Sequence, residues 1–324
     1  MSVESIVATF SQGEPSLEAA LADVDAGANG LQRKYRRVVH QAVWGGFFAL
    51  ASAFAAASFG QHVVFVLSEA VAFGAMVAGV GEGLVRRHHQ HWILARHRAE
   101  RLRLARFRWL VNPQHWDLEA EALRRLDPVL QAMVDEARRT GETEMKRWCR
   151  DAPRTAPDLP DRPLSPAFVE AVKQYYVTRR LNDQLGYFID MAERRERLDA
   201  ITRILPAIGF GVAVLLSVVH LVAEVVDRLS GAETIAAPGG WVLFLILVLP
   251  AAGAAARLLR TAFEFARNRQ RFVTTAAELE RARGRLDMAG KPGDVARAMT
   301  LAEDALEQEH REWLELMLEA EWFG

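Results

Sequence analysis

The sequence predicts an all-α fold: a multipass membrane protein with four transmembrane helices in two hairpins and long cytoplasmic helical extensions. Three observations predict it. First, four apolar stretches alternate with highly charged segments, which is why the mean hydropathy of the whole chain is 0.00. Second, each stretch approaches the ~20 apolar residues that a helix needs to cross a hydrocarbon core of ~30 Å. Third, basic residues flank all four stretches on the side away from the two connecting loops.

The four predicted transmembrane segments form two pairs. A turn near Gly60 and Gln61 joins the first two, and a connection this short makes a helical hairpin. A short polar loop, 227–238, joins the other two. The third segment contains Pro206, which a membrane helix tolerates with a kink or a locally re-satisfied backbone. The predicted segments are roughly 40–59, 63–85, 204–226 and 240–256.

Helix formers and helix breakers predict the elements outside the membrane. The basic stretch after the second segment contains no Gly or Pro, so we expect that membrane helix to continue into the aqueous phase, and we expect the same after the fourth segment. Ser16 is expected to cap a short helix that ends at Gly27–Gly30. Pro128 is expected to break a helical pair within 116–150, and five prolines between Pro153 and Pro166 predict a linker.

These features divide the chain into five parts. They are 1–32, an N-terminal cytoplasmic segment; 33–111, the first transmembrane hairpin with its basic exit helix; 112–166, a cytoplasmic helical region and Pro-rich linker; 167–289, the second transmembrane hairpin with long cytoplasmic helices; and 290–324, an acidic C-terminal cytoplasmic helix.

Local charge indicates the orientation and the compartment. The net charge is only −1, but the two connecting loops contain Arg228 as their only basic residue. The positive-inside bias therefore predicts that both termini and the whole middle region are cytoplasmic. The single cysteine, Cys149, excludes an internal disulfide framework and suits a reducing compartment. The N-terminus lacks a basic region followed by an apolar one, so no cleavable signal peptide is expected.

Polar and small residues within the apolar segments are candidates for lining a pore. Glu69 lies near the middle of the second segment, where a carboxylate must face protein or water; the alternative is a protonated Glu bonded to a neighbouring helix. His220 and Glu224 share one helical face, which suits an outer mouth, a proton-sensitive gate or an ordinary interfacial pair. Small residues at spacing four in the first segment either line a narrow pore or permit close helix packing. They are Gly45, Ala49 and Ala53, followed by Ala57.

Eight arginines between Arg86 and Arg108 form the strongest electrostatic feature of the sequence. They suit anionic lipid headgroups at the start of the helix, and a nucleotide, an oligonucleotide or an acidic partner helix further along it. The alternative is pairing with the acidic last helix, since charge runs usually serve solvated or paired faces. The candidates for ligand or partner contact are Arg96, Arg98, Arg101, Arg103 and Arg106.

The sequence predicts no catalytic or metal site. HExxH, GxSxG, Walker A and paired-cysteine motifs are absent. The histidines between His88 and His97 have no acid or cysteine at metal-ligand spacing. We therefore expect a protein that is not an enzyme and uses no cofactor.

The stretch VKQYYVTRRLNDQLGYFIDMAERRERLDAITRILPAIGF, 172–210, carries a tyrosine, an Arg-Leu pair, an Asp-Gln pair, aromatics and a basic run into the membrane. In these features the chain resembles the SLATT family of bacterial membrane proteins, here in a four-transmembrane form. The matching residues are Tyr176, Arg180, Leu181, Asp183, Gln184 and Tyr187. AERLRLARFRWL, 99–110, and LPAAGAAARLLRTAFEFARNRQRFVTTAAELERAR, 249–283, are also similar to that family. No sensor domain of the kind often fused to or paired with such modules is recognisable.

The resemblance implies a multipass protein of the bacterial inner membrane that acts as an effector of antiviral defence by abortive infection. We expect a pore-forming or ion-conducting homo-oligomer, a tetramer by analogy with symmetric channels, that stays closed until a nucleotide-type signal or a partner protein changes. The alternative is a non-conducting membrane scaffold or regulatory subunit that recruits a nucleotide-processing partner, such as a nucleotidyltransferase-type protein. In both hypotheses the protein contacts the lipid bilayer.

Overall fold

A computed structural model describes residues 14–113, 116, 126–151, 165–230 and 239–319. This part of the chain is helical throughout and contains no strand, as the sequence predicts. The α-helices are α1 (Glu14–Phe59), α2 (Val63–Arg86), α3 (His88–Val111), α4 (Leu126–Arg139), α5 (Glu142–Arg150), α6 (Pro166–Tyr176), α7 (Asn182–Ser230), α8 (Gly240–Ala262), α9 (Phe265–Met288) and α10 (Pro292–Glu319). A five-residue π-helix, Val177–Leu181, joins α6 to α7.

Four of these helices are long and apolar enough to cross a membrane, which confirms the predicted fold class. They are α1, α2, α7 and α8. The turn between α1 and α2 contains Gly60 at φ +97°, in the region that favours glycine. Pro206 lies inside α7, which continues through it. The predicted loop 227–238 begins later than expected, because α7 extends to Ser230.

Both basic exit helices are separated from their membrane helices, contrary to the continuous helices expected from the sequence. Arg87 has φ 44° and ψ 41° and ends α2 in the left-handed conformation. Glu264, at φ 47°, separates α8 from α9 in the same way. For an L-residue this conformation costs about 1–2 kcal/mol. It also ends the regular hydrogen-bond ladder, so each hairpin is followed by a new helix.

Three further boundaries differ from the prediction. α1 runs through Gly27 and Gly30 without a break, and Ser16 lies inside it rather than at its cap. A helical glycine costs only ~1 kcal/mol relative to alanine, and the flanking alanine and leucine residues favour a helix. The helical pair after α3 exists, but it breaks at Thr140 and Gly141; Pro128 lies in the first turn of α4, where proline is tolerated. Most of the predicted proline linker lies outside the described residues.

The described chain forms two compact units. The first, here the span unit, contains 33–88 and 194–267. Its α1 and α8 are in contact at both ends: the rings of Phe59 and Trp241 are 4.5 Å apart, and those of His40 and Phe263 are 5.3 Å apart. Many large apolar side chains of α2 and α7 are exposed, as expected for helices that face lipid.

The second unit, here the charged unit, contains 14–32, 89–193 and 268–319. One apolar cluster forms most of its core, with residues from α3, α6, α7, α9 and α10. Tyr176, Leu279, Met299 and Leu286 are among its most deeply buried members, at 0–1% exposure. This core packs like that of a water-soluble helical domain.

Candidate functional site

The small residues of the first hairpin pack α1 against α2. A Cβ added to Gly45 would lie 2.7 Å from the backbone N of Met76, and one added to Gly79 would lie 3.1 Å from the α1 backbone. Glycine at these positions therefore permits the two helices to approach at backbone distance. Ala49 is buried and Ala53 is half-buried. Of the two roles that the sequence left open for this stripe, the contacts of Gly45 favour packing.

Glu69 is a half-buried carboxylate at the edge of the α2 face that packs on α1. It lies six residues after Val63, about 9 Å along the helix at ~1.5 Å per residue, and so nearer to the loop end than the sequence suggested. The adjacent Ser68 hydroxyl is 2.9 Å from Oγ of Ser52 on α1. Within the described chain the Glu69 carboxylate has no hydrogen bond or ion pair.

His220 and Glu224 lie on α7 but do not pair with each other. The Glu224 carboxylate accepts hydrogen bonds from Arg228, one turn further on, with the shorter at 2.8 Å. His220 is half-buried, and its Nδ1 has no hydrogen-bond partner among the described residues. Glu224 therefore belongs to an exposed i,i+4 pair.

The five candidate arginines of α3 all have partners within the charged unit. Arg96 lies 2.8 Å from Glu100; Arg98 donates to the Thr140 carbonyl at 2.9 Å; Arg101 lies 3.0 Å from Glu136; Arg103 lies 2.8 Å from Glu100 and also contacts Asp25; and Arg106 donates to the Tyr175 hydroxyl at 3.4 Å. A ligand would have to compete with these contacts. These five arginines are thus paired within the chain, but none of the partners named here lies on the last helix, where the sequence placed them.

The most buried charges among the described residues meet at the π-helix. Arg180 donates from Nε and from a terminal nitrogen to the two carboxylate oxygens of Glu303, at 2.9 and 3.0 Å. The Tyr176 hydroxyl donates to Glu303 Oε1 at 2.9 Å. Glu303 and Tyr176 are 0% exposed and Arg180 is 3% exposed. Burial raises the pKa of Tyr176 well above its usual value, and the Glu303 carboxylate beside it acts in the same direction.

The π-helix gives this cluster its position. A π-turn widens the helix and rotates the residues that follow, and such bulges frequently occur at functional sites. Arg180 and Leu181 are both buried within it, and the Arg180 guanidinium lies 4.6 Å from the centre of the Phe107 ring. Tyr176, Arg180 and Leu181 also carry the family resemblance noted above. In this structure those three residues form core contacts.

Acidic residues of α10 extend the network. Arg108 lies 2.6 Å from Asp304 and 2.7 Å from Glu307. Glu307 also accepts from Arg311 at 2.6 Å. Arg311 in turn donates to the carbonyls of Trp148 and Asp151, so that it fixes the end of α5. Asp304 and Glu307 of α10 are thus each paired with a cation of the same unit.

A histidine pair lies between two tryptophans next to this network. Nδ1 of His97 is 3.1 Å from Nε2 of His310, and the nearly parallel rings have centroids 5.3 Å apart. His97 contacts Trp148 edge-on, and His310 stacks on Trp313. Burial, aided by neighbouring cations, lowers the pKa of His97 to about 2, and burial lowers that of His310 to about 4. Both rings are therefore neutral at pH 7, and one donates its proton to the other.

Two carboxylates near the histidine pair have pKa values that are shifted in opposite directions. Burial raises the pKa of Glu100, but Arg96 and Arg103 outweigh it and bring the value to about 2. For Glu309 burial prevails over the attraction of Arg271, which lies 2.9 Å away, and its pKa is raised. The two acids thus differ because Glu100 has two close arginines.

The described residues offer little for metal or nucleophilic chemistry. They contain no group of three or more His, Cys, Asp or Glu side chains that could hold a metal ion. Cys149 is half-buried, and burial raises the pKa of its thiol to about 11. A thiol with such a pKa is protonated at neutral pH and is a poor nucleophile.

Two shallow cavities of about 350 and 340 Å³ lie side by side between α9 and α10. They share Arg285 and Leu301, and Arg281 and Arg297 lie on their walls. Within the described residues Arg285 has no hydrogen-bond or ion-pair partner. Glu278, Asp294 and Asp304 also line them, so that the lining is mixed in charge.

Sequence reasoning did not identify the Arg180–Glu303 pair or the histidine pair as sites. Their members are 123 and 213 residues apart in the chain. The available signal was weak: Tyr176 and Arg180 lie four residues apart on a helix, and Glu303 lies inside an apolar stripe of α10. Neither pattern indicates which residue forms an ion pair with Arg180 or Glu303.

Comparisons with family models, with curated proteins and with solved structures find no match to this chain.

Proposed function

We propose that the protein is an ion-conducting membrane effector that acts as a homo-oligomer, most simply a tetramer. It resides in the bacterial inner membrane with both termini cytoplasmic, as the flanking positive charge favours. Following the family resemblance, its task is antiviral defence by abortive infection. Its trigger is a nucleotide-type signal or a partner protein that acts on the charged unit.

The observation that carries the proposal is the Glu69 carboxylate. It lies on a helix long and apolar enough to cross a membrane, it is half-exposed, and no described residue of its own chain satisfies it. A carboxylate at this depth must face protein or water. Only 6% of the most apolar window of α2 is buried within the chain. A second copy or a water-filled space beside α2 satisfies Glu69, and a symmetric oligomer supplies both.

The charged unit supports a controlling role. Its buried ion pairs and histidine pair hold α3, α5, α6 and α10 in one arrangement. A ligand that binds a different arrangement more tightly shifts this equilibrium by its difference in affinity. The cavities between α9 and α10 are within the size range of small-molecule sites.

The test is conductance of the purified full chain in a planar bilayer. We expect KCl currents above those of a protein-free bilayer, recorded before and after addition of ATP or a cyclic dinucleotide. Glu69→Gln should lower the preference for K⁺ over Cl⁻ several-fold, because it removes a negative charge from the conducting path. Glu82→Gln is the matched control on the same helix, since Glu82 already pairs with Arg86 and His88.

If the same preparation does not conduct, the result counts against the proposal. Native mass spectrometry establishes whether the inserted protein is a monomer or an oligomer. An inserted oligomer that carries no current under any of these conditions contradicts the channel and favours the non-conducting regulatory subunit. Equal selectivity in the Glu69→Gln and Glu82→Gln variants contradicts the role of Glu69.

A further inference from the structure

Two exposed arginines stand at the ends of the apolar runs of the second hairpin. Arg203 precedes Ile204 on α7, and Arg257 follows Ala256 on α8. Neither guanidinium has a hydrogen-bond or ion-pair partner among the described residues. The nearby carboxylate of Asp199 is occupied by Arg260 at 2.6 Å. Two cations are therefore left without a counterion.

The register of the hairpin brings these two arginines to the same depth. A Cβ on Gly253 would lie 3.2 Å from Cα of Pro206, and one on Gly209 would lie 3.3 Å from the Leu249 carbonyl oxygen. Together with the Asp199–Arg260 pair, these contacts define an antiparallel pairing of α7 and α8. In that register, Arg203 is level with 256 and Arg257 is level with 202.

Both arginines also lie on the same side of the seam between α7 and α8. At ~100° per residue, Arg203 is rotated by about 60° from Pro206, and Arg257 is rotated by about 40° from Gly253. The two rotations have the same sense along each helix. Because the helices are antiparallel, rotations of the same sense lead to the same side. The arginines thus flank one groove.

The groove beside them is lined by apolar side chains. Towards the membrane it continues along Ala207 and Phe210 of α7 and along Ala254 and Pro250 of α8. Phe210 is 61% exposed, and Ala207 and Ala254 are exposed as well. The small alanine side chains leave room for an alkyl chain between the helices.

We propose that Arg203 and Arg257 bind the phosphate of one anionic phospholipid, with an acyl chain of that lipid along the groove. A phosphodiester has one negative charge shared by its two non-bridging oxygens, and each oxygen can accept a hydrogen bond from one guanidinium group. The apolar groove begins next to the two guanidinium groups, just as the acyl chains of a lipid begin next to its charged headgroup. Free phosphate and a nucleotide share the charge but have no acyl chain. The proposal does not depend on whether the protein conducts.

The experiment measures lipid retention on the purified full chain by native mass spectrometry. The protein in nonionic detergent is incubated with phosphatidylglycerol or with phosphatidylcholine of the same acyl chains. We expect one tightly retained phosphatidylglycerol per chain and about tenfold weaker retention in the R203Q/R257Q double variant. R228Q is the matched control: it removes an exposed arginine at the other end of α7, and should retain the lipid as the unmodified protein does.

Further measurements separate binding from folding and from free anions. The R203K/R257K variant keeps both charges and should retain phosphatidylglycerol to within a few-fold, which tests binding if the glutamine variant does not fold. Inorganic phosphate and ATP at millimolar concentration should not displace the lipid. Equal retention of phosphatidylcholine, unchanged retention in R203Q/R257Q, or displacement by phosphate or ATP each overturns the proposal.

Discussion

Glu303 accepts hydrogen bonds from two side chains that lie more than a hundred residues earlier in the chain. Its carboxylate has no exposure to water, so its charge is compatible with the fold only while Arg180 opposes it. Tyr176 then uses one of the remaining acceptor positions. At the scale of single residues, such a cluster contributes little net stability but is strongly destabilising when it loses one member.

We therefore predict that Glu303→Gln lowers the free energy of unfolding by about 3–5 kcal/mol, because Arg180 is left buried without its counter-charge. Replacing both with R180M/E303L should recover much of that loss. Chemical denaturation of the protein in detergent measures both. R297Q is the control: it breaks the exposed Arg297–Asp294 pair, and its effect should stay below about 1 kcal/mol. Equal losses in the control and in Glu303→Gln would contradict the prediction.

At the scale of helices, the close packing of the first hairpin depends on two glycines, one on each helix. Gly45 on α1 and Gly79 on α2 each meet the backbone of the opposite helix. The apolar run and the short turn at Gly60 were sufficient to predict the hairpin. The sequence could not assign the role of Gly45, because a small residue has the same pattern whether it faces a helix, a pore or another subunit.

Gly45→Leu should destabilise the span unit by about 1–3 kcal/mol, because the new side chain forces α1 and α2 apart. The midpoint of thermal unfolding in detergent is the measurement. Gly211→Leu on α7 is the matched control, since a Cβ there meets nothing within 4 Å. We expect its midpoint to match that of the unmodified protein. A control as unstable as Gly45→Leu would show that packing space at Gly45 is not the cause.

The left-handed residues Arg87 and Glu264 show what helix propensity does not predict. Both belong to residue types that favour regular helices, so the sequence indicates continuity at these points. At the first of these points the change of direction accompanies a local contact: His88, which directly follows Arg87, is buried and lies 3.2 Å from Glu82, six residues earlier. Helix propensity carries no information about such a side-chain contact.

At the scale of the whole molecule, apolar and charged composition predicted four spans and the helical class, since both depend only on local sequence. The pairing of charged side chains between different helices did not follow from composition, because it depends on which helices meet. The buried histidines make the stability of the folded protein depend on pH. His89, His97 and His310 all have a lowered pKa, with burial as the main cause.

We predict that stability falls as the pH drops from about 6.5 to 4.5. In this window the unfolded chain protonates these histidines, whereas the folded chain keeps them neutral, with pKa values of about 4, 2 and 4. Each such proton changes the free energy of unfolding by about 1.4 kcal/mol per pH unit. The raised pKa of Glu309 acts in the opposite direction, but it is one group against three. Glu100, with its lowered pKa, adds to the loss only below about pH 4.5.

Thermal unfolding followed by tryptophan fluorescence at pH 7, 5.5 and 4.5 measures this effect. The H97N/H310N variant should lose most of the pH dependence, whatever its stability at pH 7. His91→Gln is the control, since His91 is exposed and should leave the pH dependence intact. A midpoint that stays constant from pH 7 to 4.5 in the unmodified protein contradicts the prediction.

The three-residue connection between α1 and α2 also has a consequence for biosynthesis. Because α2 begins only four residues after α1 ends, we expect the two helices to insert into the membrane as a pair. A lone α2 would present the Glu69 carboxylate and the Ser68 hydroxyl to lipid at once. In the pair, the Ser68 hydroxyl is hydrogen-bonded to Ser52, and Gly45 and Gly79 each meet the backbone of the opposite helix. We therefore expect the first hairpin to be a unit of insertion as well as a unit of structure.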